Sequence, residues 1–229
     1  MEKLNNHCDI PPLPLPKRIL IPLLRKSFKL LYHQFAWTYD WIACIVSLGA
    51  WQNWVQSVLP YLDGPRTLEI GFGPGHLQAT LLQKGISIYG LDESSQMAEI
   101  ALRRIIRLGM CPNLVRGNAQ TLPYANECFQ QVVMTFPAEF ILNQHTFTEI
   151  YRVLAKGGKA VILPLAWITG RKPLERAAAW LNLVTGETPE WDEKSLEPFK
   201  KLGFDVSWQK INYSSSKILI IHMIKPSIQ

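Results

Sequence analysis

Arg66-Thr67-Leu68-Glu69-Ile70-Gly71-Phe72-Gly73-Pro74-Gly75-His76 sets three alternating glycines behind a short apolar run, Thr67 to Ile70. Leu77, Thr80, Leu81 and Leu82 follow at helical spacing, so the glycines join a buried strand to a helix. Glycine suits such a joint because it accepts positive φ and has no side chain to hold a ligand off the backbone. Pro74 fits the first turn of the helix, where its missing N–H is not needed. A helix start aims unsatisfied N–H groups at whatever lies over the glycines. The pattern is that of a nucleotide-type cofactor site. A glycine-rich turn without a ligand is the competing reading.

The spacing narrows the ligand. A dinucleotide fingerprint wants a third glycine or alanine three residues after the second, and that position is His76. Glu69, inside the strand end, is an awkward neighbour for a pyrophosphate but a good one for an ammonium group. With that acid two residues ahead of Gly-x-Gly-x-Gly, the segment resembles motif I of the class I S-adenosylmethionine (AdoMet) methyltransferases. The resemblance implies that Gly71, Phe72, Gly73 and Gly75 lie against the amino-acid end of S-adenosyl-L-methionine, with Glu69 helping to hold its amino group.

At 229 residues the chain fits one domain with appendages. It is 48% hydrophobic and 18% charged, so its surface carries less charge than average. The formal charge of +6 is unevenly placed: Lys17, Arg18, Arg25, Lys26 and Lys29 stand together, with no acid between Asp9 and Asp40. The remainder is near balance, so the pI of 9.2 does not imply a nucleic-acid-binding domain. Cys8, Cys44, Cys111 and Cys128 are scattered, with no C-x-x-C pair and no clustering with histidine. That pattern fits a reducing cytosol and predicts no metal site. No convincing secretory signal precedes the basic stretch. Trp41 to Leu62 is uncharged and long enough to span a bilayer, but Gln52, Asn53, Gln56, Gly49 and Pro60 favour a buried, soluble helical pair.

The expected organisation is a proline-rich disordered arm (1–16), a helical cap (17–62) and an AdoMet-binding domain (63–229) with a substrate-shaping insertion at about 165–192. Residues 17–33 are basic and amphipathic. Two readings stand: a solvated helix face over the domain, or an interfacial helix touching anionic lipid, which would make a cytoplasmic protein membrane-peripheral. In the cap, Phe35, Tyr39, Asp40, Ser47, Gly49 and Trp54 resemble the N-terminal region of the menaquinone and ubiquinone C-methyltransferases. That resemblance allows Tyr39 to face the reaction chamber; aromatic packing is the alternative.

Ile86 to Leu91 reads as a second strand ending in Asp92-Glu93. An acid about 20 residues past the first glycine reaches ribose hydroxyls, and Asp92 or Ser94 also suits a helix N-cap. Asp92-x-Ser94-x-x-Met97 is similar to the family's segment, which assigns Asp92, Glu93 and Met97 to the cofactor, Met97 beside the adenine. A helix over 95–107 turns Arg103, Arg104 and Arg107 outward. The third strand leads to Gly117-Asn118-Ala119 where the family has Gly-Asp-Ala, implying that Asn118 and Ala119 meet the adenine through a weaker, neutral acceptor. Leu122-Pro123 follows the family, and Gln130 stands where an acid is usual.

Val132 to Phe136 reads as the fourth strand, and its exit through Thr135, Phe136 and Glu139 borders the transferred methyl, because ligands sit beyond the carboxyl ends of parallel strands. His145 opens the next helix, as a surface histidine or as a base. Ala160 to Leu163 is the fifth strand, and a helix and two closing strands follow. The repeated β-α order with a terminal hairpin predicts an α/β doubly wound sheet. The resemblance makes it the seven-stranded, mostly parallel, Rossmann-like methyltransferase fold under an N-terminal helical cap.

The resemblance implies in-line transfer of the sulfonium methyl to a small acceptor, and the apolar composition and aromatic cap point to a lipophilic or aromatic one. Candidate bases are Tyr39, Glu139 and His145. The Asn/Asp-Pro-Pro-aromatic tetrapeptide of nucleobase-amine methyltransferases is absent, which argues against DNA. Two alternatives remain: a catalytically inactive AdoMet-fold subunit, and an RNA methyltransferase, for which the balanced core supplies no basic face.

Overall fold

A computed structural model of the chain describes residues 47–137, 143–169, 196–213 and 215–227. The arm, the cap up to residue 46, Tyr39, Glu139 and the insertion from 170 to 195 lie outside the described residues.

The described chain runs through helix α1 (Trp51–Gln56), a 3₁₀ turn (Leu59–Tyr61), β1 (Thr67–Ile70), α2 (His76–Gln83), β2 (Ile88–Asp92), α3 (Ser95–Arg107) and β3 (Leu114–Arg116). It continues through β4 (Phe129–Thr135), α4 (Gln144–Val153), β5 (Leu154–Ile168), α5 (Glu197–Lys201), β6 (Asp205–Tyr213) and β7 (Ser216–Ile224). The strands form one seven-stranded sheet in the order β3-β2-β1-β4-β5-β7-β6. Strands β1 to β5 pair in parallel, and β7 runs antiparallel to both β5 and β6. The doubly wound expectation is met.

The central strands are apolar on both faces because both are covered. Leu68, Ile70, Val132 and Met134 pack with Ile150 and Val153 of α4 on one side. Val133, Val161 and Leu163 pack on the other with Leu77 and Leu81 of α2 and with Trp54, Val55 and Val58 of the cap. The order of strand addition reverses between the parallel neighbours β1 and β4, so their carboxyl ends flank the crevice in which folds of this kind take ligands.

The cap is tied to the sheet by the buried Gln131 on β4. Its Oε1 accepts from Gly64 N–H at 2.8 Å and from the Thr67 hydroxyl at 3.1 Å. Its Nε2 donates to Asp63 Oδ1 at 2.6 Å and to Tyr61 O at 3.3 Å. Asp63 also pairs with Lys159 at 2.7 Å, and that cation holds its carboxyl below the usual range.

Several boundaries differ from expectation, among them the starts of β2, β4 and β5, at Ile88, Phe129 and Leu154. Pro74 lies ahead of α2, which starts at His76 with Gly75 (φ 77°) as its N-cap. The fourth strand ends at Thr135, because Phe136 turns out of it with φ 49°. β5 runs on to Ile168, so strand occupies the first residues of the expected insertion, and its register with β7 shifts between Ile162 and Leu165. Among the described residues no helix is long and apolar enough to cross a membrane, and no His/Cys/Asp/Glu group is placed to hold a metal ion.

Candidate functional site

The carboxyl ends of β1 and β2 meet at the glycine turn. Gly71 N–H donates to Leu91 O at 2.7 Å, which extends the strand pairing into the turn. Gly71, Gly73 and Gly75 all have positive φ (74°, 52° and 77°). Their surroundings differ. A Cβ built at Gly75 would stand 2.7 Å from Ala101 Cβ, so this glycine lets α2 and α3 pack closely. A Cβ built at Gly73 would meet nothing within 4 Å, although the residue is buried. Gly73 therefore leaves room for a ligand to approach the backbone. Arg104, expected to face outward, instead donates from Nη1 to Pro74 O at 2.6 Å and braces the turn from α3.

Asp92 ends β2, is buried, and clamps two segments. Its Oδ2 accepts from Gly73 N–H and its Oδ1 from Ser94 N–H, both at 2.8 Å. Ser94, not Asp92, caps α3, accepting from Met97 N–H at 3.3 Å. Gly117 N–H donates to Asp92 O at 3.0 Å, which brings the end of β3 alongside. There Ala119 is buried and Asn118 exposed, its Oδ1 accepting from Gln120 N–H at 2.8 Å. Glu93 is exposed, and Met97 is fully buried within α3. The loop after Asn118 is held by Arg152, which donates to Leu122 O at 3.0 Å and Tyr124 O at 2.8 Å. Arg152 also pairs with Glu149 at 2.7 Å, and that contact holds the Glu149 carboxyl below its usual range.

Glu69 is buried beneath α2 and accepts from Gln78 Nε2 at 2.8 Å. Burial raises its pKa to about 8; the Gln78 hydrogen bond opposes that rise and the nearby Asp92 charge adds to it. The buried acid thus holds its proton more tightly than an exposed carboxylate would.

At the exit of β4, Phe136 N–H donates to Leu163 O at 2.7 Å, which fixes its left-handed backbone. Its ring stacks on Trp51 at 4.3 Å and lies 6.2 Å from Trp54, so α1 closes against the strand exit. His145, in the first turn of α4, is exposed. The structure thus brings together Glu69, Gly71, Phe72, Gly73, Gly75, Asp92, Asn118 and Ala119 around the ends of β1 to β3. Thr135 and Phe136 line the neighbouring exit of β4.

A family model described as a methyltransferase domain matches residues 68–162, from within β1 through the glycine turn and into β5. Residues 68–162 thus resemble a methyltransferase domain. The chain is 30% identical over 175 residues to the ubiquinone/menaquinone biosynthesis C-methyltransferase UbiE of Xylella fastidiosa strain 9a5c, covering 72% of this chain and 63% of that protein. It is 26% identical to the demethylmenaquinone methyltransferase of Thermotoga maritima, over 87% of this chain and 97% of that one. Among solved structures, Haemonchus contortus phosphoethanolamine N-methyltransferase 2, in complex with phosphomonomethylethanolamine and S-adenosylhomocysteine, superposes with a TM-score of 0.58 at 17% identity. That match covers 78% of this chain and 54% of the other, and it shows the shared fold. The chain spans just under two thirds (63–64%) of the length of the UbiE relatives first matched.

Sequence reading missed two residues that brace the candidate site, Gln78 against Glu69 and Arg104 against Pro74 O. Gln78 follows the inward-facing Leu77 and precedes Leu81 by three residues, a polar side chain on the buried face of α2. That inward position was the available signal. Arg104 gave none, since its reach back to Pro74 depends on how α3 packs.

Proposed function

We propose that this chain transfers a methyl group from AdoMet to a small, lipophilic or aromatic acceptor. The observation that carries the reading is Gly73, buried yet open on its Cβ side, between the buried acid near the end of β1 and the carboxylate that ends β2. This set fits AdoMet: acceptors for an ammonium group and for a ribose diol flank a backbone that a ligand can approach. Glu69 would take the amino group, and the Gly71–Gly75 turn with Phe72 would lie along the amino-acid tail. Asp92 would accept from the ribose hydroxyls, with Glu93, Met97, Asn118 and Ala119 around the adenine. Bound there, AdoMet supplies an electrophilic sulfonium methyl, so the protein's part is alignment and exclusion of water.

Thr135, Phe136 and Trp51 would wall the acceptor side. A flat aromatic ring suits the Trp51–Phe136 stack. The quinone-pathway names of the Xylella and Thermotoga relatives point to the same acceptor class. If the nucleophile must lose a proton, Tyr39, Glu139 and His145 are the candidate bases. The cationic stretch 17–33 would bring the protein to an anionic membrane surface where a lipophilic acceptor resides.

Calorimetric titration with AdoMet, followed by transfer of a labelled methyl to fractionated cell lipids and small molecules, tests the reading. Binding and label in a lipophilic fraction are expected. Failure to bind AdoMet overturns it, and binding without transfer replaces catalysis by a binding role. For the membrane part, salt-sensitive co-sedimentation with anionic vesicles should vanish on deleting residues 17–33.

A further inference from the structure

Gln78 is fully buried (0% exposed) on the face of α2 turned toward β1 and β2. Its Nε2 donates to Glu69 Oε2 at 2.8 Å and to Tyr89 O at 3.3 Å. Both amide hydrogens are used, which fixes the amide's orientation. Its Oε1 is left buried with no hydrogen-bond partner, a cost of about 1–3 kcal/mol. Leucine would fill much the same volume without that cost, as Leu77 and Leu81 do on the same helix. β2 accommodates the arrangement as well: a Cβ at Gly90 would stand 2.9 Å from Gln78 Nε2 and 2.8 Å from Phe72 Cδ1. A buried amide that destabilises its own helix face while gripping the one buried acid of β1 is the signature of a residue kept for a site.

We propose that Gln78 is a positioning residue for cofactor binding: its amide holds the Glu69 carboxyl beneath the glycine turn, in place to receive the ammonium group of AdoMet. The inference rests on the AdoMet reading above. Burial works against ionising Glu69 and so does the charge of Asp92, while the Gln78 hydrogen bond is the contact that favours the ionised form. Removing the amide therefore makes Glu69 harder to ionise and cofactor binding more costly near neutral pH.

The test compares wild type with Gln78→Leu, and with Gln78→Met as a second apolar variant should the first not fold. AdoMet affinity is measured by calorimetry from pH 6 to 9, and Tm is measured without ligand. The expected result is an affinity about tenfold weaker at pH 7, the equivalent of one pKa unit. The midpoint of the pH dependence should move upward, the deficit should narrow toward pH 9, and Tm at pH 6 should be unchanged or higher. Unchanged affinity and midpoint, with or without a fall in Tm, assign Gln78 to packing and overturn the proposal. Wild type that fails to bind AdoMet overturns the functional reading instead, and this inference falls with it.

Discussion

A methyl group added at Gly75 would press on Ala101 at 2.7 Å, whereas one added at Gly73 would meet nothing within 4 Å. Gly75→Ala should therefore lower stability by about 2–5 kcal/mol, combining left-handed strain with overpacking. Gly73→Ala carries only the strain, about 1–2 kcal/mol, but should weaken AdoMet binding at least about tenfold by intruding where the ligand approaches. Denaturant melts and calorimetry on the two variants separate the roles. Glu69 gives a second prediction. Its pKa rises from 4.5 unfolded to about 8 folded, so the folded state holds the proton more tightly. The stability this group contributes is full below pH 4.5, declines as pH rises toward 8, and levels off above. Glu69→Gln should remove that slope in a Tm-against-pH series. AdoMet, pairing with the ionised acid, should bind wild type more tightly by up to about tenfold per pH unit until about pH 8. The acid and the glycines were legible from spacing alone. Gln78 was not, because its meaning comes from a partner nine residues away across the strand-to-helix turn.

The alternation of apolar strands with amphipathic helices was enough to place every element of the described sheet, while the element ends obeyed tertiary forces. The fifth strand was expected over Ala160 to Leu163, and the next residue, Pro164, has no N–H to give a ladder. The strand passes it by shifting register against β7 between Ile162 and Leu165, and Ala166 to Ile168 pair on with β7. β4 stops one residue early because the Leu163 carbonyl and the Trp51 ring together hold Phe136 in a left-handed turn. Neither neighbour is adjacent in sequence. Trp51→Ala should cost about 2 kcal/mol, of which the aromatic pair accounts for about 0.5–1.5. If α1 walls the acceptor side, the acceptor KM should rise several-fold in this variant while AdoMet affinity stays near wild type. Equal losses for both ligands would place α1 elsewhere.

Across the whole molecule, the order β3-β2-β1-β4-β5-β7-β6 puts a strand that comes late in the chain inside the sheet and leaves its predecessor at the border. A terminal hairpin was readable from two apolar runs around Tyr213-Ser214-Ser215-Ser216, and the sequence reading did not assign which of its strands joins β5, although Ile218 to Ile221 is continuously apolar and Asp205 to Tyr213 is not. The burial decides it: Ile218 to Ile221 and Met223 are covered, while β6 buries mainly Val206. This placement governs how a nascent chain can mature. When the ribosome has delivered residue 213, β6 has no seat, and the apolar rim of β5 stays raw until β7 emerges and zips in with β6 as one unit. A chain halted at 213 should therefore clump or be captured by chaperones, whereas the complete chain elutes as a defined species in gel filtration.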